Sequence, residues 1–117
     1  MHVLLLSMPD SFEHMAPVAV RMPNGALTSL AGNLDPHHEV AVADLILAQG
    51  RVGPTVDGLL AAHQPDVVGL SVMTFQRRTA LRLIERIRRQ RPSAAVVVGG
   101  YDPSLAPDAW EGAVDFI

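Results

Sequence analysis

The chain has 117 residues, the length of a single domain, and 49% of them are hydrophobic, which is enough for a sizeable core. It contains no cysteine, and this absence excludes disulfides, thiolate metal sites and iron–sulfur ligation within these residues. All nine basic residues are arginine, and the absence of lysine excludes Schiff-base, phosphate-loop and phosphoacceptor-domain lysines.

The distribution of charge is uneven although the formal net charge is only −3. Seven of the nine arginines lie between Arg77 and Arg91, where Glu85 is the single acid. No apolar run approaches the ~20 residues that a membrane-spanning helix needs, and the amino terminus lacks the basic region and cleavage site of a signal peptide. We therefore expect a cytoplasmic protein.

The first half of the chain predicts a strand, a long loop, a helix, a second strand and a second helix. The strands are short apolar runs, and the helices have apolar residues at the spacing of one helical face. The loop contains three prolines and exceeds the ~12–15 residues beyond which structureless loops are uncommon, which suggests a function. In order, the segments are His2 to Ser7, Met8 to Asn24, Gly25 to Leu34, Glu39 to Asp44 and Thr55 to His63.

The second half predicts a strand, an arginine-rich helix, a fourth strand, a short helix and a fifth strand. The arginine-rich helix is the most clearly amphipathic. We interpret its basic face as solvated or as a docking surface for another domain, and not as a nucleic-acid site, because no aromatic residues interleave. In order, the segments are the run from Pro65 that ends at Ser71, Arg77 to Arg91, Ala95 to Val98, Pro103 to Trp110 and Ala113 to Ile117.

The alternation of strands and helices predicts a parallel sheet with right-handed crossovers. Five strands at this spacing favour a flavodoxin-like (Rossmann-like) α/β fold, a three-layer sandwich with the strand order 2-1-3-4-5. The switch point of that order lies between strands one and three, so the loops after Ser7 and Ser71 face each other. Ligands of such sheets bind outside the carboxyl ends of the strands.

Several ligands of this fold are disfavoured by the residues at that edge. A dinucleotide requires G-x-G-x-x-G after the first strand, where this chain has SMPDSFEH. A phosphoacceptor domain requires an aspartate where strand three ends in Ser71, and a flavin phosphate loop requires more hydroxyl residues than Ser7 and Ser11. What remains is a site of small hydrogen-bonding residues and glycines.

Six segments, in order and covering nearly the whole chain, resemble the cobalamin-binding domain at the amino terminus of radical S-adenosylmethionine enzymes. They are VLLLSMP, MPNGALTSLAGNLDPHHEVAVADL, PDVVGLSVMTF, the arginine helix ending in RP, VVVGG and VDFI. The resemblance implies that residues 1–117 form one cobalamin-binding domain, a fragment of a larger protein. Within the family, the pattern is most similar to the branch of anaerobic magnesium-protoporphyrin monomethyl ester cyclases and methyltransferases.

The resemblance also implies where the cofactor binds. Ser71 and Met73 match the family's S-x-L element, and Gly99 and Gly100 match its paired glycines. In that family the nucleotide tail of cobalamin inserts beside the sheet, where a serine hydroxyl can satisfy a base nitrogen and glycine admits a close approach of the ligand. The cofactor-binding residues expected on this basis are Pro9, Asp10, Ser71, Met73, Thr74, Gly99, Gly100 and Tyr101.

One departure from the wider pattern concerns the lower cobalt ligand. Many cobalamin domains carry D-x-H-x-x-G after strand one, with the histidine on cobalt, but here Asp10 is followed by serine and phenylalanine. The resemblance therefore implies base-off cobalamin without a histidine lower ligand, and His14 is the less favoured alternative. We interpret His37 and His38 as structural because no third metal ligand is evident.

These residues alone are not expected to be catalytic. The resemblance implies a downstream radical domain of the same protein, with clustered cysteines, an iron–sulfur cluster and S-adenosylmethionine. The alternative is a non-enzymatic signalling or interaction domain of the same fold, and titration with cobalamin distinguishes the two.

The chain end leads to a prediction about association. A helix after strand five would normally join the first helix, but the sequence ends at Ile117, so we expect an uncovered apolar face over strands one and three. Exposed apolar patches usually signal association. We therefore expect the chain to self-associate or to be marginally stable, and the natural protein to continue. Sedimentation as a monomer at ~100 μM, with a melting temperature in the mesophile range of ~45–65 °C, would contradict this expectation.

Overall fold

The computed structural model describes residues 1–10 and 25–117. Its strands are β1 (His2–Ser7), β2 (Glu39–Asp44), β3 (Val67–Ser71) and β4 (Ala95–Gly99). Its helices are α1 (Gly25–Asn33), α2 (Val52–His63), α3 (Arg77–Gln90) and α4 (Tyr101–Leu105), with 3-10 turns at Leu45–Ala48, Thr74–Gln76 and Pro107–Trp110. The strands form one parallel sheet in the order β2-β1-β3-β4, which is the predicted order for the first four strands.

The bounds of two helices differ from the sequence-based ones. α2 begins at Val52 and not at Thr55, because proline is tolerated in the first turn of a helix. The short helix predicted over Pro103 to Trp110 is divided, since α4 ends at Leu105 and a 3-10 turn begins at Pro107. Among the described helices, none is long and apolar enough to cross a membrane.

The fifth predicted strand, Ala113 to Ile117, is not formed as a strand. Its sheet pairing in the structure is a single parallel bridge between Val97 and Phe116. The physical reason is the carboxylate of Asp115, which accepts the backbone N–H of Val96 at 2.7 Å in place of a strand carbonyl. Within the described part of the chain the sheet therefore has four strands, and the fold is otherwise the expected flavodoxin-like α/β sandwich.

Most of the core lies on one face of the sheet. Alternate residues of a strand point to opposite faces, and the larger ones on this face pack against α2 and α3. Because burial of apolar surface contributes about 25 cal/mol per Å², this interface is the main source of stability. Its buried residues include Leu4, Leu6, Val68, Leu70, Val96 and Val98 of the strands and Val56, Leu60, Ala80, Leu83, Ile84 and Ile87 of the helices.

The opposite face of the sheet is covered only in part. Leu27 of α1 packs on Val3 and Leu5 of β1, and all three side chains are buried. The expected open area over strands one and three is present, but it is narrower over β1 because α1 packs there. Val3 and Leu5 of β1 still line it together with residues of β3, and it also extends across β4.

The arginines of α3 are divided between structural and exposed positions. Arg86 forms a bidentate pair with Asp57 of α2, with distances of 2.7 and 2.6 Å. Arg88 pairs with Asp115 at 2.9 Å and so fastens the end of the described chain. The basic face that the sequence predicts is smaller than the arginine count suggests. Its exposed members are Arg78, Arg82 and Arg89.

A buried carboxylate fixes the segment that follows β4. Asp102 is 1% exposed and accepts hydrogen bonds from Nε and Nη2 of Arg77, both at 2.8 Å, and from Nε1 of Trp110 at 2.9 Å. The hydrogen bonds from Arg77 are the main reason why the pKa of Asp102 lies below its usual value. Desolvation of the carboxylate acts in the opposite direction, and the hydrogen bond from Trp110 lowers the pKa further. The contact ties α4 to the start of α3 and thereby positions Gly100.

We expect Asp102→Asn to lower the free energy of unfolding by about 1–3 kcal/mol, because buried donors lose a charged acceptor. Since folding lowers the pKa of Asp102, its stabilisation is complete above the unfolded-state pKa of about 3.9 and disappears as the pH falls through the folded-state pKa. Denaturant titrations from neutral pH downwards measure the difference between wild type and variant. Asp108→Asn, at an exposed position nearby, is the control. A difference that stays constant in acid contradicts the assignment.

Candidate binding groove at the carboxyl edge of the sheet

The four strands end at one level, which brings four positions into a row. The register pairs Asp44 with Ser7, Ser7 with Ser71, and Ser71 with Gly99. The ends of β1 and β3 are therefore adjacent, as the predicted switch point requires. The buried hydroxyl of Ser7 donates to Oδ1 of Asp44 at 2.6 Å, so this half of the row is engaged within the protein. Ser71 and Gly99 form the half that faces the open area.

An apolar groove opens on the α1 face of the sheet and reaches this row. Its volume of about 460 Å³ lies within the range of small-molecule sites. Leu27 and Leu30 of α1 line one side, and the floor is formed by alternate residues of β3 and β4. These floor residues are Val67, Gly69, Ser71, Val97 and Gly99.

The two glycines at the end of β4 have different roles. A Cβ on Gly99 would meet nothing within 4 Å, so the backbone here faces open space in the groove. A Cβ on Gly100 would lie 2.8 Å from the backbone oxygen of Val72, and its φ of +103° is one that favours glycine. Gly100 also lines the groove, so its expected contact with the cofactor stays a prediction, but the space that a Cβ would fill there is occupied by the backbone after β3.

Three of the expected site residues lie outside the groove lining. Met73, Thr74 and Tyr101 are exposed, and Tyr101 reaches 68%. Met73 and Thr74 follow Ser71 in the chain after one intervening residue, and Tyr101 directly follows Gly100. All three therefore lie beside the mouth of the groove, which is its end at Ser71 and Gly99. A ligand that projects from the groove over the carboxyl edge would meet them there.

Pro9 and Asp10 lie beyond the end of β1 and are held by two glutamines. Gln49 Nε2 donates to the carbonyl of Pro9, and Gln76 Nε2 donates to that of Asp10, both at 2.9 Å. Gln76 is 7% exposed, and its Oε1 also accepts the backbone N–H of Met73 at 2.9 Å. Gln76 therefore joins the chain after β1 to the chain after β3. Sequence reasoning missed both glutamines, because no local pattern marks them.

The carboxylate of Asp10 has one satisfied and one unsatisfied oxygen. Oδ1 accepts a hydrogen bond from Oγ1 of Thr79 at 3.0 Å, whereas Oδ2 is enclosed and has no hydrogen-bond partner among residues 1–10 and 25–117. A buried polar atom without a partner is unfavourable by about 1–3 kcal/mol, and such atoms in native structures call for an explanation. Because this oxygen is enclosed and Asp10 is not among the described lining of the groove, the expected role of Asp10 in cofactor binding stays a prediction.

The described histidines lie away from this edge. His2, His38 and His63 lie at or before the amino ends of β1, β2 and β3, and His37 pairs with Asp35. In residues 1–10 and 25–117 no group of three potential metal ligands occurs. His14, the alternative cobalt ligand, falls outside the described residues.

Comparison with known proteins identifies the family. The model of the B12 binding domain matches residues 14–117. Comparison with curated protein sequences gives no match.

Two solved structures of the radical S-adenosylmethionine methyltransferase TsrM from Kitasatospora setae are similar to the chain. One, with tryptophan substrate and the analogue aza-SAM bound, gives a TM-score of 0.70, and one with cobalamin and a [4Fe-4S] cluster bound gives 0.69. In both, the identity is 25%, and the match covers 96% of this chain but 22% of the TsrM chain. Because the family model spans most of its length, the chain belongs to the B12-binding domain family.

Proposed function

We propose that residues 1–117 bind cobalamin at the carboxyl edge of the sheet, with the nucleotide tail in the groove and its base detached from cobalt. The observation that carries the proposal is the open groove that begins at Ser71 and Gly99 and runs along β3 and β4. Membership of the B12-binding family and the likeness to a TsrM structure that contains cobalamin support the same ligand.

The groove suits an elongated ligand tail. From Ser71 to Val67 its floor spans four residue steps, or about 13 Å at the rise of a parallel strand. At the mouth, the hydroxyl of Ser71 can hydrogen-bond to a base nitrogen, and Gly99 leaves room for a close approach.

We place the domain in a larger enzyme. Bound cobalamin supplies a cobalt atom that can carry a methyl group. The chain contains no cysteine, so a radical S-adenosylmethionine domain downstream in the same cytoplasmic protein would hold the iron–sulfur cluster. The 22% coverage of TsrM supports additional domains. A methyltransferase or an oxidative cyclase of the magnesium-protoporphyrin monomethyl ester type fits this arrangement.

Gly99→Leu is expected to weaken the binding of hydroxocobalamin by about tenfold or more, or ~1.4 kcal/mol, because the new side chain would enter the groove. Gly58→Leu is the matched control, since a Cβ at this exposed position of α2 also meets nothing within 4 Å. Gly100→Leu is unsuitable because it would strain the backbone beside Val72. Spectrophotometric titration measures the affinities, and thermal melting verifies that each variant is folded.

The result distinguishes the candidate functions. Equal affinity of wild type and Gly99→Leu for hydroxocobalamin would contradict the proposal that the nucleotide tail lies in the groove. Absence of binding by the wild type would favour the alternative, a non-enzymatic signalling or interaction domain of the same fold.

The cobalt of the bound cofactor is expected to have no nitrogen ligand, because the described histidines lie at the opposite edge of the sheet. Electron paramagnetic resonance of the cobalt(II) form should then lack nitrogen superhyperfine splitting. A splitting that is lost in His14→Ala would identify a histidine ligand, and a splitting that persists would mean that the base remains on cobalt. Either result contradicts the base-off state without histidine.

A further inference from the structure

The polar side chains of the groove are confined to its two ends. Ser71 lies at the mouth, and His38 lies at the far end, near the amino ends of the strands. Between them, the described lining consists of glycine and aliphatic residues. Those that matter here are Leu5, Val67, Gly69 and Val97 of the sheet and Leu27 and Leu30 of α1.

The backbone of the floor adds few polar contacts. β3 pairs with β1 on one side and with β4 on the other, over five residue pairs in each case. Its N–H and C=O groups therefore bond within the plane of the sheet and do not point into the groove. A polar ligand atom in the middle of the groove would lose its hydrogen bonds to water without gaining new ones.

We propose that the groove selects among cobamides by the polarity of the lower base, accepting benzimidazole and phenol bases and disfavouring purines. The inference rests on the proposed function, since it assumes that the nucleotide tail occupies the groove. A detached dimethylbenzimidazole has one free ring nitrogen, which can lie at the polar mouth beside Ser71, and its other edge is hydrocarbon. Adenine carries an amino group and further ring nitrogens, which would lie against Val67 and Val97.

The first test compares the affinities of three probes for the chain: cobalamin, adeninyl cobamide and cobinamide, which lacks the tail. We expect cobalamin to bind at least about tenfold more tightly than adeninyl cobamide. A tenfold ratio corresponds to ~1.4 kcal/mol, which is about the free-energy cost of burying one polar group without a hydrogen bond. Cobinamide should also bind more weakly than cobalamin, because it leaves the groove empty. Equilibrium dialysis measures all three.

A pair of isosteric variants locates the discrimination. Val97→Thr adds a hydroxyl to the groove floor, and we expect it to narrow the preference for cobalamin by about threefold to tenfold, the range of one neutral hydrogen bond. Val42→Thr makes the same change at an exposed position of β2 outside the groove and should leave the preference unchanged. Circular dichroism verifies the folding of both.

The outcomes separate this inference from the proposed function. Equal affinities for cobalamin and adeninyl cobamide, or an unchanged preference in Val97→Thr, would contradict the proposed selectivity for the lower base. The proposal that the chain binds cobalamin would remain. Equal affinities for cobalamin and cobinamide show that the tail lies elsewhere and also overturn it. If none of the three probes binds, the proposed function fails as well.

Discussion

The site depends on one constraint, the alternation of strand side chains between the two faces of the sheet. In β3, Val68 and Leu70 pack toward α2 and α3, whereas Gly69 and Ser71 face the α1 side. The same alternation in β4 places Gly99 beside Ser71. The larger residues therefore fill one interface, and the smaller ones leave space in the other. A register slip of one residue would exchange the faces, with a leucine in the groove and a serine hydroxyl in the apolar core.

Polar contacts of buried side chains hold the mouth of the groove in place. Gln76 connects the chain after β1 with the chain after β3, and the pair of Arg77 and Asp102 connects the chain after β4 with α3. All three turns that surround the mouth are thus tied to the first residues of one helix or to the turn before it. Because a pre-formed site loses less conformational entropy on binding, these contacts favour affinity without touching the ligand.

The sequence predicts well what depends on local patterns. The apolar runs, the helical stripe of α3 and the break at Pro107 are local, and the strand order follows from their alternation. The fifth predicted strand lies parallel to β4 as expected but pairs with it by a single bridge, because the side chain of Asp115 takes the place of a backbone carbonyl. Contacts between distant residues, such as Arg77 with Asp102, leave no local pattern, so the sequence did not reveal them. The paired glycines predicted a close approach of the ligand, but only the structure shows that a Cβ on Gly100 would meet the protein's own backbone.

Because the groove is open and apolar, cofactor binding and self-association of the chain compete for the same surface. Leu30, beside the groove on α1, is 55% exposed, and Ile117, which also lines it, is 59% exposed. Apolar surface of this kind favours contact between proteins, whereas a ligand that fills the groove covers the surface and stabilises the folded state by its binding free energy. Occupancy and self-association therefore oppose each other when both use this face. The aliphatic lining that would exclude a polar base is also the apolar surface that favours self-association. A substitution that makes the lining more polar therefore reduces self-association and also weakens the selectivity against polar bases.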